Sequence, residues 1–599
     1  MINVVGFTFL SLGMNGFDFE SEGIPDKLKL VKNKAGSLSL LRLVVFFAMV
    51  AFFVLTLSDA GYWFIPFLAA AGGFIELIRR YNFQKDQESI YLTLLQLHER
   101  SEKRKNRNLS GLDTGGEFMD KLHPFSNDLD LFGDHSLFQL LNHTISANAK
   151  RALASKMKSA FQLDQTEAKR LASQELSQKP KFLQAFESIG LAFYQEETSA
   201  EGWIKWLKNS QKIKSWIPIL AFIGPIGGIA LCSLVYFGVL PAAVLGLWIL
   251  IGMIFLSIVF KPLKLAADLI PSRNQLKIYR YWISELEQEK FNSLILQDAQ
   301  SHFLMSEGKA SDLLNQLDRL GLWVQNRLNL LYLPINLLFW TDLFLYYKLN
   351  TWKKNHGAAA SQFPSRLENW EVLISLGAFE SEVGVQSKVH TLPSSGLFAK
   401  GITHPLLHPE KAVANDFVLD ESQRIILLTG SNMSGKTTFM RTLGINCVLM
   451  NLGLNPFADE FGLGPIQLYT SMRNADNLGE SVSSFYAELS RIRVLIDRLE
   501  AGEAILFMLD EILKGTNTED RIAGSEALIR QVRNTNSMGI ISTHDIELAE
   551  LETKIESLKN FSFHSEIHNA SIDFDYKIKF GACPSFNAHK LMELMGIKF

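Results

Sequence analysis

The sequence predicts an α/β domain that lies C-terminal to a mostly α-helical region with four transmembrane helices in two hairpins. Three observations lead to this fold class. The chain has 599 residues, and a single hydrophobic core stops growing at roughly 250 to 300 residues, so several domains are expected. Two long stretches, 43–75 and 216–260, are almost free of charge. Near the C-terminus, the apolar run 425–429 leads into a glycine-rich loop and a helical pattern.

The composition favours a few membrane spans joined to large soluble parts. Hydrophobic residues make up 47% of the chain and its mean hydropathy is +0.09, which together lie above a typical soluble enzyme and below a chain that is mostly embedded in a bilayer. The formal net charge of -3 gives no overall positive field, so any contact with DNA must be local. The three cysteines are far apart in sequence, which predicts a reducing compartment and neither a disulfide nor a zinc site. They are Cys232, Cys447 and Cys583.

Each low-charge stretch is long enough for two helices, because one crossing of a bilayer needs about 20 apolar residues. In the first stretch, a polar turn at 58–60 separates spans that are predicted near Leu40–Leu57 and Gly61–Ile78. In the second stretch, the turn falls at 238–241. The alternative, that these stretches are buried core helices of a soluble protein, fits their length and cationic flanks less well.

The cations next to both hairpins lie on one side of the predicted membrane, and the turns carry none. By the positive-inside rule, both hairpins enter from the cytoplasm and return to it. The sequence therefore predicts a multi-pass protein of the cell (inner or plasma) membrane with cytoplasmic soluble domains. The flanking cations are Lys27, Lys29, Lys32, Lys34, Arg42, Arg79, Arg80 and Lys85 around the first hairpin, and Lys205, Lys208, Lys212, Lys214, Lys261 and Lys264 around the second.

The soluble segments before the C-terminal domain are predicted to be helical, because apolar residues recur at helical spacing over 84–214 and 272–349. The basic run at 103–107 is interpreted as a solvated loop rather than a phosphate-binding patch. The run Leu328–Thr341, with only 14 uncharged residues, is interpreted as soluble core. The predicted segments are an N-terminal tail (1–37), a transmembrane hairpin (38–80), a helical domain (81–212), a second hairpin (213–262), a helical lever or core region (263–385) and the α/β domain (386–599).

A strand–loop–helix pattern in the last segment indicates a phosphate-binding loop. The strand Ile425–Thr429 is followed by the sequence G-x-x-x-x-G-K-[ST] and then by a helical pattern. Gly430 and Gly435 allow backbone N–H groups to turn towards phosphates, and the helix N-terminus adds a positive dipole end. The motif predicts that Lys436 reaches the β and γ phosphates of ATP and that Thr437 binds Mg²⁺. The predicted binding residues of the loop are Gly430, Ser431, Asn432, Met433, Ser434, Gly435, Lys436, Thr437 and Thr438.

Two further strands lead to side chains that complete the predicted ATP site. The strand Ile505–Leu509 ends at Asp510 and Glu511, which suits a division of labour: Asp510 holds Mg²⁺ and Glu511 polarises the attacking water. A third strand, Met538–Ser542, leads to His544, which is predicted to sense the γ phosphate; a purely structural role is the alternative. The predicted catalytic residues are Glu511, Lys436 and His544, and the predicted metal ligands are Thr437 and Asp510.

These motifs resemble those of the MutS family of DNA mismatch-repair ATPases. The loop from Thr429 is similar to T-G-P-N-M-x-G-K-[ST], and Leu509–Asp520 is similar to L-D-E-x-x-x-G-T-x-T-x-D. The resemblance covers about 404 to 596, with weaker similarity at 128–157 and from Leu313 onward. Further matching positions are His404-Pro405, Asn415, the segment Ser483–Glu488 (S-T-F-x-x-E in the family), Thr543-His544, Tyr576, Gly581 and Ser585.

The resemblance implies an α/β P-loop NTPase, the ABC-like MutS ATPase domain, attached to a helical lever and core region. It implies that Asn415 binds the nucleotide and that the ATPase domains form a homodimer in which Ser483 acts in trans. ATP binding and hydrolysis would switch the attached helices between two states. Where the family often has an aromatic residue that stacks on adenine, this chain has Ala412 and Val413, for which Tyr576 could compensate. The triplet Phe74–Glu76 matches the Phe-x-Glu wedge of the family's mismatch-reading domain, but it lies at the end of the second predicted span and is interpreted as a coincidence, so mismatch recognition is not supported by the residues.

Two functional hypotheses follow. The leading one is a membrane-anchored ATPase, related to mismatch repair, that binds DNA, with branched, damaged or mismatched DNA as possible ligands. The alternative is a membrane-tethered, ATP-driven dimeric clamp or scaffold for a protein or lipid partner, which the missing wedge and the lack of net positive charge favour. An ABC transporter is excluded, because the L-S-G-G-Q signature is absent and the spans are separated into two hairpins.

Overall fold

The computed structural model of the chain describes residues 16–58, 62–194, 200–209, 214–305, 308–330, 332–431, 433–473, 484–568 and 571–583. The helices are α1 (Ile24–Ser58), α2 (Phe64–Lys105), α3 (Leu137–Leu141), α4 (Ala147–Met157), α5 (Thr166–Ser177), α6 (Pro180–Phe193), α7 (Ala200–Lys208), α8 (Trp216–Tyr236), α9 (Ala243–Leu269), α10 (Arg273–Gln288), α11 (Leu294–Ser301), α12 (Ala310–Gln325), α13 (Tyr332–Phe339), α14 (Thr341–Ala360), α15 (Phe363–Glu382), α16 (Lys436–Leu452), α17 (Ser484–Glu500), α18 (Thr518–Arg533) and α19 (Leu551–Lys554). The strands are β1 (Lys388–Thr391), β2 (Leu397–Ile402), β3 (Asn415–Leu419), β4 (Ile425–Gly430), β5 (Glu460–Leu463), β6 (Gln467–Ser471), β7 (Ile505–Asp510), β8 (Met538–Thr543), β9 (Leu558–His568) and β10 (Ser571–Phe580).

The chain packs into two compact units, and each unit is assembled from several stretches of sequence. The first unit contains residues up to 100, 181–289 and 302–367, and the second contains 101–180, 290–301 and the residues from 368 onward. The predicted helical domain 81–212 therefore does not form one packing unit, because its residues are divided between both. The division arises because helices that follow one another in sequence find their apolar partners in different parts of the chain.

Three helices of the first unit, α1, α8 and α9, are long and apolar enough to cross a membrane. Their apolar side chains point outward: Phe47 is 63% exposed, Ile226 is 68% exposed and Ile254 is 65% exposed. Such exposure is the reverse of what a helix of a soluble protein shows. The fourth predicted span, Gly61–Ile78, overlaps the start of the 42-residue helix α2. Its role as a span remains a prediction, because Glu76 and the arginines after it shorten the apolar part.

The interpretation of the run Leu328–Thr341 as soluble core is wrong. The helix α13 packs against α8 and α9, and Leu333 and Ile335 on it are about half exposed. The end of the run is held by Trp340, whose ring stacks on that of Trp248 with 4.1 Å between the centroids. This short apolar helix therefore packs on two candidate membrane spans, which explains why its own apolar side chains are not covered.

The second unit contains two sheets. The larger one has the strand order β10-β9-β4-β8-β7-β6, with parallel neighbours except for the antiparallel pair β9 and β10. The smaller one has the order β1-β5-β2-β3. Successive residues of β4 enter different cores: Ile426 and Leu428 pack with residues of α16, whereas Ile425 and Leu427 pack with residues of α17 and α18. Burial on both faces explains why the central parallel strands are apolar at nearly every position.

Two of the four cations in the basic run at 103–107, Arg104 and Arg107, are buried, so the interpretation as a solvated loop is wrong for these two residues. Arg104 is 3% exposed and Arg107 is 9% exposed. Arg104 forms an ion pair with Glu382 at 3.2 Å and donates to the carbonyl oxygen of Asn142 at 2.7 Å, and Arg107 donates to the carbonyl oxygen of Pro405 at 2.7 Å. Both guanidinium groups thus bind partners within the second unit rather than an external phosphate.

We expect Gly252→Val to destabilise the packing of Trp340 on α9. A Cβ atom at position 252 would lie 2.1 Å from Trp340 Nε1, and overpacking of this kind typically costs about 1–3 kcal/mol. Gly246→Val is the matched control on the same helix, because no atom lies within 4 Å of a Cβ atom there. The measurement is the thermal unfolding of the detergent-solubilised protein, followed by tryptophan fluorescence. Equal melting temperatures for the two variants would contradict this packing.

Candidate functional site

Three neighbouring strands bring the predicted site residues to one edge of the larger sheet. In the parallel strands β4, β8 and β7, Thr429 pairs with Thr543 and Asp510 pairs with Ser542. The carboxyl ends of parallel strands lie at the same edge, so the loop after β4, the carboxylates at the end of β7 and His544 after β8 come together there. Ligand sites of open α/β sheets typically lie outside this edge.

The glycine-rich loop requires backbone conformations that favour glycine. Gly430 has a φ of 150° and Gly435 has a φ of 106°. A Cβ atom at Gly430 would lie 2.8 Å from the carbonyl oxygen of Phe563, and one at Gly435 would lie 3.1 Å from Cδ1 of Tyr576. The two glycines therefore let the loop lie directly against β9 and β10. Met433, also at positive φ, points away from the protein and is 86% exposed.

Lys436, the first residue of α16, is held inside this loop. Its side chain is 4% exposed, and its Nζ donates to the carbonyl oxygens of Gly430 at 2.8 Å and Ser431 at 3.1 Å. Burial lowers the pKa of Lys436, and the carboxylates of Glu511 and Asp510 oppose this shift. A buried ammonium group is costly unless it is paired and hydrogen-bonded, so this position is suited to bind an anionic group.

Two hydroxyl groups of the loop, Ser431 Oγ and Ser434 Oγ, are buried and have no hydrogen-bond partner in the part of the chain that the structure describes. Buried hydroxyl groups are usually hydrogen-bonded, so an unpartnered pair indicates a place where a polar ligand fits. Thr438 lies exposed in the first turn of α16, where backbone N–H groups have no partner within the helix. Asn432, also predicted to bind nucleotide, lies outside the described residues.

The two predicted magnesium ligands are in direct contact. Thr437 Oγ1 donates to Asp510 Oδ2 at 2.5 Å, and Ser542 Oγ donates to Asp510 Oδ1 at 2.6 Å. The carboxylate of Asp510 thus connects the first turn of α16 to the strand β8. Oxygen atoms of carboxylates are the protein ligands that Mg²⁺ prefers, and the hydroxyl oxygen of Thr437 lies beside one of them.

Glu511 is surrounded by cationic or potentially cationic groups. His544 Nε2 lies 2.7 Å from Glu511 Oε1, Lys514 forms a close ion pair with Oε2, and Lys436 Nζ lies 4.0 Å from Oε1. The hydrogen bond with His544, followed by that with Lys514, lowers the pKa of Glu511 to about 2 despite its partial burial. Glu511 also has a φ of 47°, a strained conformation of the kind that is concentrated at functional sites.

The described part of the segment Ser483–Glu488 contacts the loop after Glu511 within the same chain. The carboxylate of Glu488 accepts a hydrogen bond from the backbone N–H of Leu513, and burial raises the pKa of Glu488. Phe485 packs closely on Gly515, where a Cβ atom would lie 2.5 Å from Phe485 Cβ. Ser483, which is predicted to act in trans, lies outside the described residues.

Asn415 connects β3 to an irregularity in β10. Its Nδ2 donates to the carbonyl oxygen of Tyr576 at 3.0 Å, and its Oδ1 accepts from the backbone N–H of Ile578 at 2.9 Å. Tyr576 has a φ of 50° and is 45% exposed, and its ring lies beside Gly435. Asn415 therefore positions Tyr576 next to the glycine-rich loop. A direct contact of Asn415 with nucleotide remains a prediction.

Two carboxylates that motif analysis missed connect the site to the segment before α3. Asp130 pairs with Arg441 of α16 at 2.9 Å and closely with Arg473. Asp128, which is 1% exposed, pairs with Arg491 of α17 at 3.1 Å. No local pattern marks these aspartates, because their partners lie more than 300 positions away in sequence. The two aspartates link α16 and α17 to the short segment of chain that precedes α3.

The fold and the site define this part of the chain as an α/β domain in which a glycine-rich loop and paired carboxylates meet at one edge of a parallel sheet. Residues 426–597 match the family model of MutS domain V, the ATPase-containing C-terminal region of MutS. Residues 426–597 are therefore similar to the C-terminal domain of the MutS family, which confirms the resemblance found in the motifs.

The curated relatives that match are much longer than the matched region. The DNA mismatch repair protein MutS of Listeria monocytogenes serotype 4b is 34% identical over 227 residues, which cover 36% of this chain and 26% of that protein. The DNA mismatch repair protein MutS of Oceanobacillus iheyensis is 35% identical over 187 residues, which cover 30% of this chain and 21% of that protein. The chain thus spans about a quarter or less of the length of these relatives.

We expect Glu511 to stabilise the folded state at neutral pH and to lose this effect on acidification. Its folded-state pKa of about 2 lies below the ~4.3 of an unperturbed glutamate, so the stabilisation is complete above pH ~4.3 and decreases as the pH falls towards 2. The melting temperature of the wild type should exceed that of Glu511→Gln at pH 7, by a margin that shrinks below pH ~4.3. The exposed residue Glu556 supplies the control Glu556→Gln, for which no such margin is expected. A margin for Glu511→Gln that does not change with pH would contradict this assignment.

Proposed function

We propose that the chain is a Mg²⁺-dependent P-loop ATPase of the MutS family, anchored in the cell membrane with its ATPase domain in the cytoplasm, and that it acts on DNA. The observation that carries the ATPase part is the meeting of Lys436, the Thr437–Asp510 pair and the Glu511–His544 pair at one sheet edge. The outward-facing apolar helices support the membrane anchor. The name of the matched relatives, DNA mismatch repair protein, motivates the DNA ligand.

The residues of the loop fit a magnesium nucleoside triphosphate. The unpartnered hydroxyl groups of Ser431 and Ser434 and the buried ammonium group of Lys436 would bind phosphate oxygens, together with the backbone N–H groups of the loop. Thr437 and Asp510 would hold Mg²⁺, which neutralises negative charge on the β and γ phosphates when it is bound. Tyr576, positioned beside the loop by Asn415, is the described aromatic side chain nearest to Gly435 and suits stacking on the base.

Glu511 would orient the water that attacks the γ phosphate. A carboxylate with a pKa of about 2 is a weak base, so Glu511 acts by accepting a hydrogen bond from the water and polarising it. His544 fixes the position of this carboxylate through the 2.7 Å contact, and any displacement of His544 by the γ phosphate would be transmitted to Glu511. In this account His544 is a sensor and a positioning residue.

The proposal includes a homodimer through the ATPase domains, in which Ser483 of one subunit faces the nucleotide of the other. Phe485 and Glu488, which follow Ser483 closely, pack on the loop after Glu511. A partner subunit that binds at this segment would therefore change the position of the loop after Glu511 and, with it, the position of the catalytic carboxylate. Asp130 pairs with Arg441 and Arg473. Through these ion pairs, movements caused by nucleotide or partner binding would be transmitted to the helical part of the second unit.

We expect Lys436→Ala to weaken nucleotide binding and Glu511→Gln to retain binding while turnover falls by about 100-fold or more. The reason is that Lys436 contacts the ground-state triphosphate, whereas the carboxylate of Glu511 is needed when the water attacks. The measurements are phosphate release with Mg²⁺ and ATP and equilibrium binding of a fluorescent ATP analogue. Glu556→Gln serves as the control and should behave as wild type. Equal phosphate release by the wild type and Glu511→Gln would overturn the role of Glu511.

The DNA part of the proposal is tested separately. We expect the detergent-solubilised protein to bind branched, damaged or mismatched DNA and to change its rate of ATP turnover when such DNA is added, with duplex DNA as the reference. Lys436→Ala should abolish the effect on turnover. If neither binding nor a change in rate is observed, the alternative gains support: a membrane-tethered, ATP-driven dimeric clamp or scaffold for a protein or lipid partner. The net charge of -3 is the observation that favours this alternative.

A further inference from the structure

The first unit contains a cavity of about 730 Å³ between α7, the C-terminal end of α9 and α14. Its volume lies in the range of typical small-molecule sites, roughly 300–1,000 Å³. The lining is rich in lysine, with one aspartate, Asp268, among the residues that face the cavity. The lysines are Lys205, Lys261, Lys264 and Lys353.

Lys353 is the buried member of this set. It is 7% exposed, and its Nζ lies 4.6 Å from the centroid of the Trp206 ring, which also lines the cavity. Within the described part of the chain, Lys353 has neither a hydrogen bond nor an ion pair. Burial lowers the pKa of Lys353, and a partly buried ammonium group that lines a cavity without an anionic partner is suited to bind an anion there.

The other charges around the cavity leave it positive. Lys205 lies 3.8 Å from Glu201, but both side chains are more than 80% exposed, so this pair is weak. Lys261 and Lys264 are exposed and flank the cavity on the last turns of α9. Asp268 is also exposed. One aspartate therefore faces four lysines, which is the electrostatic signature of a site for an anion with several oxygen atoms, such as a phosphate ester.

One wall of the cavity is continuous with the apolar surface of α9. Leu265 lines the cavity and is 54% exposed, while Ile258 and Phe260, which precede Lys261, are 44% and 50% exposed. The cavity thus lies where the apolar part of a candidate membrane span ends and its cations begin. Basic pockets at this level, on the cytoplasmic side of membrane helices, are suited to phospholipid head groups.

We propose that this cavity binds the phosphate group of an anionic phospholipid, with Lys353 and Trp206 at its base, Lys261 and Lys264 at its rim and an acyl chain along Leu265. The lipid source rests on the membrane anchor proposed above, whereas the phosphate chemistry does not depend on it. A soluble phosphate ester is the other source of the same chemical group, and the experiment separates the two.

The test is native mass spectrometry of the full chain in detergent, titrated in one arm with phosphatidylglycerol or phosphatidylcholine and in a second arm with glycerol 3-phosphate. We expect phosphatidylglycerol to bind more tightly than phosphatidylcholine, and Lys353→Met to weaken its binding by about 10-fold. Lys354→Met, an exposed neighbour outside the cavity, is the matched control and should bind as wild type. Lys353→Arg should retain binding, and Lys264→Gln at the exposed rim gives a second reading if Lys353→Met does not fold.

Each outcome decides one part of the proposal. Lys353-dependent binding of phosphatidylglycerol alone supports the lipid site. Lys353-dependent binding of glycerol 3-phosphate with equal affinity overturns the lipid source and leaves a soluble phosphate-ester site. Equal weakening by Lys353→Met and Lys354→Met, or no binding in either arm, overturns the site. Extraction of native membranes with alkaline carbonate tests the membrane anchor independently. Release of the protein by this treatment would overturn the membrane anchor but would not decide whether the cavity binds an anion.

Discussion

The candidate ATPase site depends on the register of three parallel strands. Because Thr429 pairs with Thr543 and Asp510 pairs with Ser542, the ends of β4, β8 and β7 lie at one level. A shift of one residue in β7 would move Asp510 to the opposite face of the sheet and break its hydrogen bond with Thr437. The register is fixed by packing, because successive residues of β4 enter two different cores. The positions of the site residues at this edge thus depend on apolar packing on the two faces of the sheet.

Much of the site could be predicted because its information is local in sequence. The glycine-rich loop, the residue that starts α16 and the two carboxylates after β7 each follow directly from an apolar strand. Parallel strands then bring such ends together without any further assumption. The helices α8 and α9 were predictable for the same reason, since a long uncharged stretch indicates a helix that is long and apolar enough to cross a membrane.

The remaining features could not be predicted, because they depend on contacts between residues that are distant in sequence. Arg104 lies in a charged run of a kind that is usually solvated. Its side chain is nevertheless buried against Glu382, which lies 278 positions away in sequence. The ion pairs of Asp128 and Asp130 join segments that are more than 300 positions apart in sequence. The apolar helix α13 was misinterpreted because a short apolar run does not reveal whether it packs inside a core or on the side of a candidate membrane span.

We propose that the loop after β4 and the carboxylates at the end of β7 enclose a magnesium-bound triphosphate. The most direct measurement is an experimental structure of the chain with Mg²⁺ and a non-hydrolysable ATP analogue. We expect Mg²⁺ to lie ~2.0–2.1 Å from Thr437 Oγ1, with Asp510 in its coordination sphere and Lys436 Nζ within hydrogen-bond distance of the β and γ phosphates. A nucleotide bound elsewhere, or a metal ion in contact with neither Thr437 nor Asp510, would contradict it.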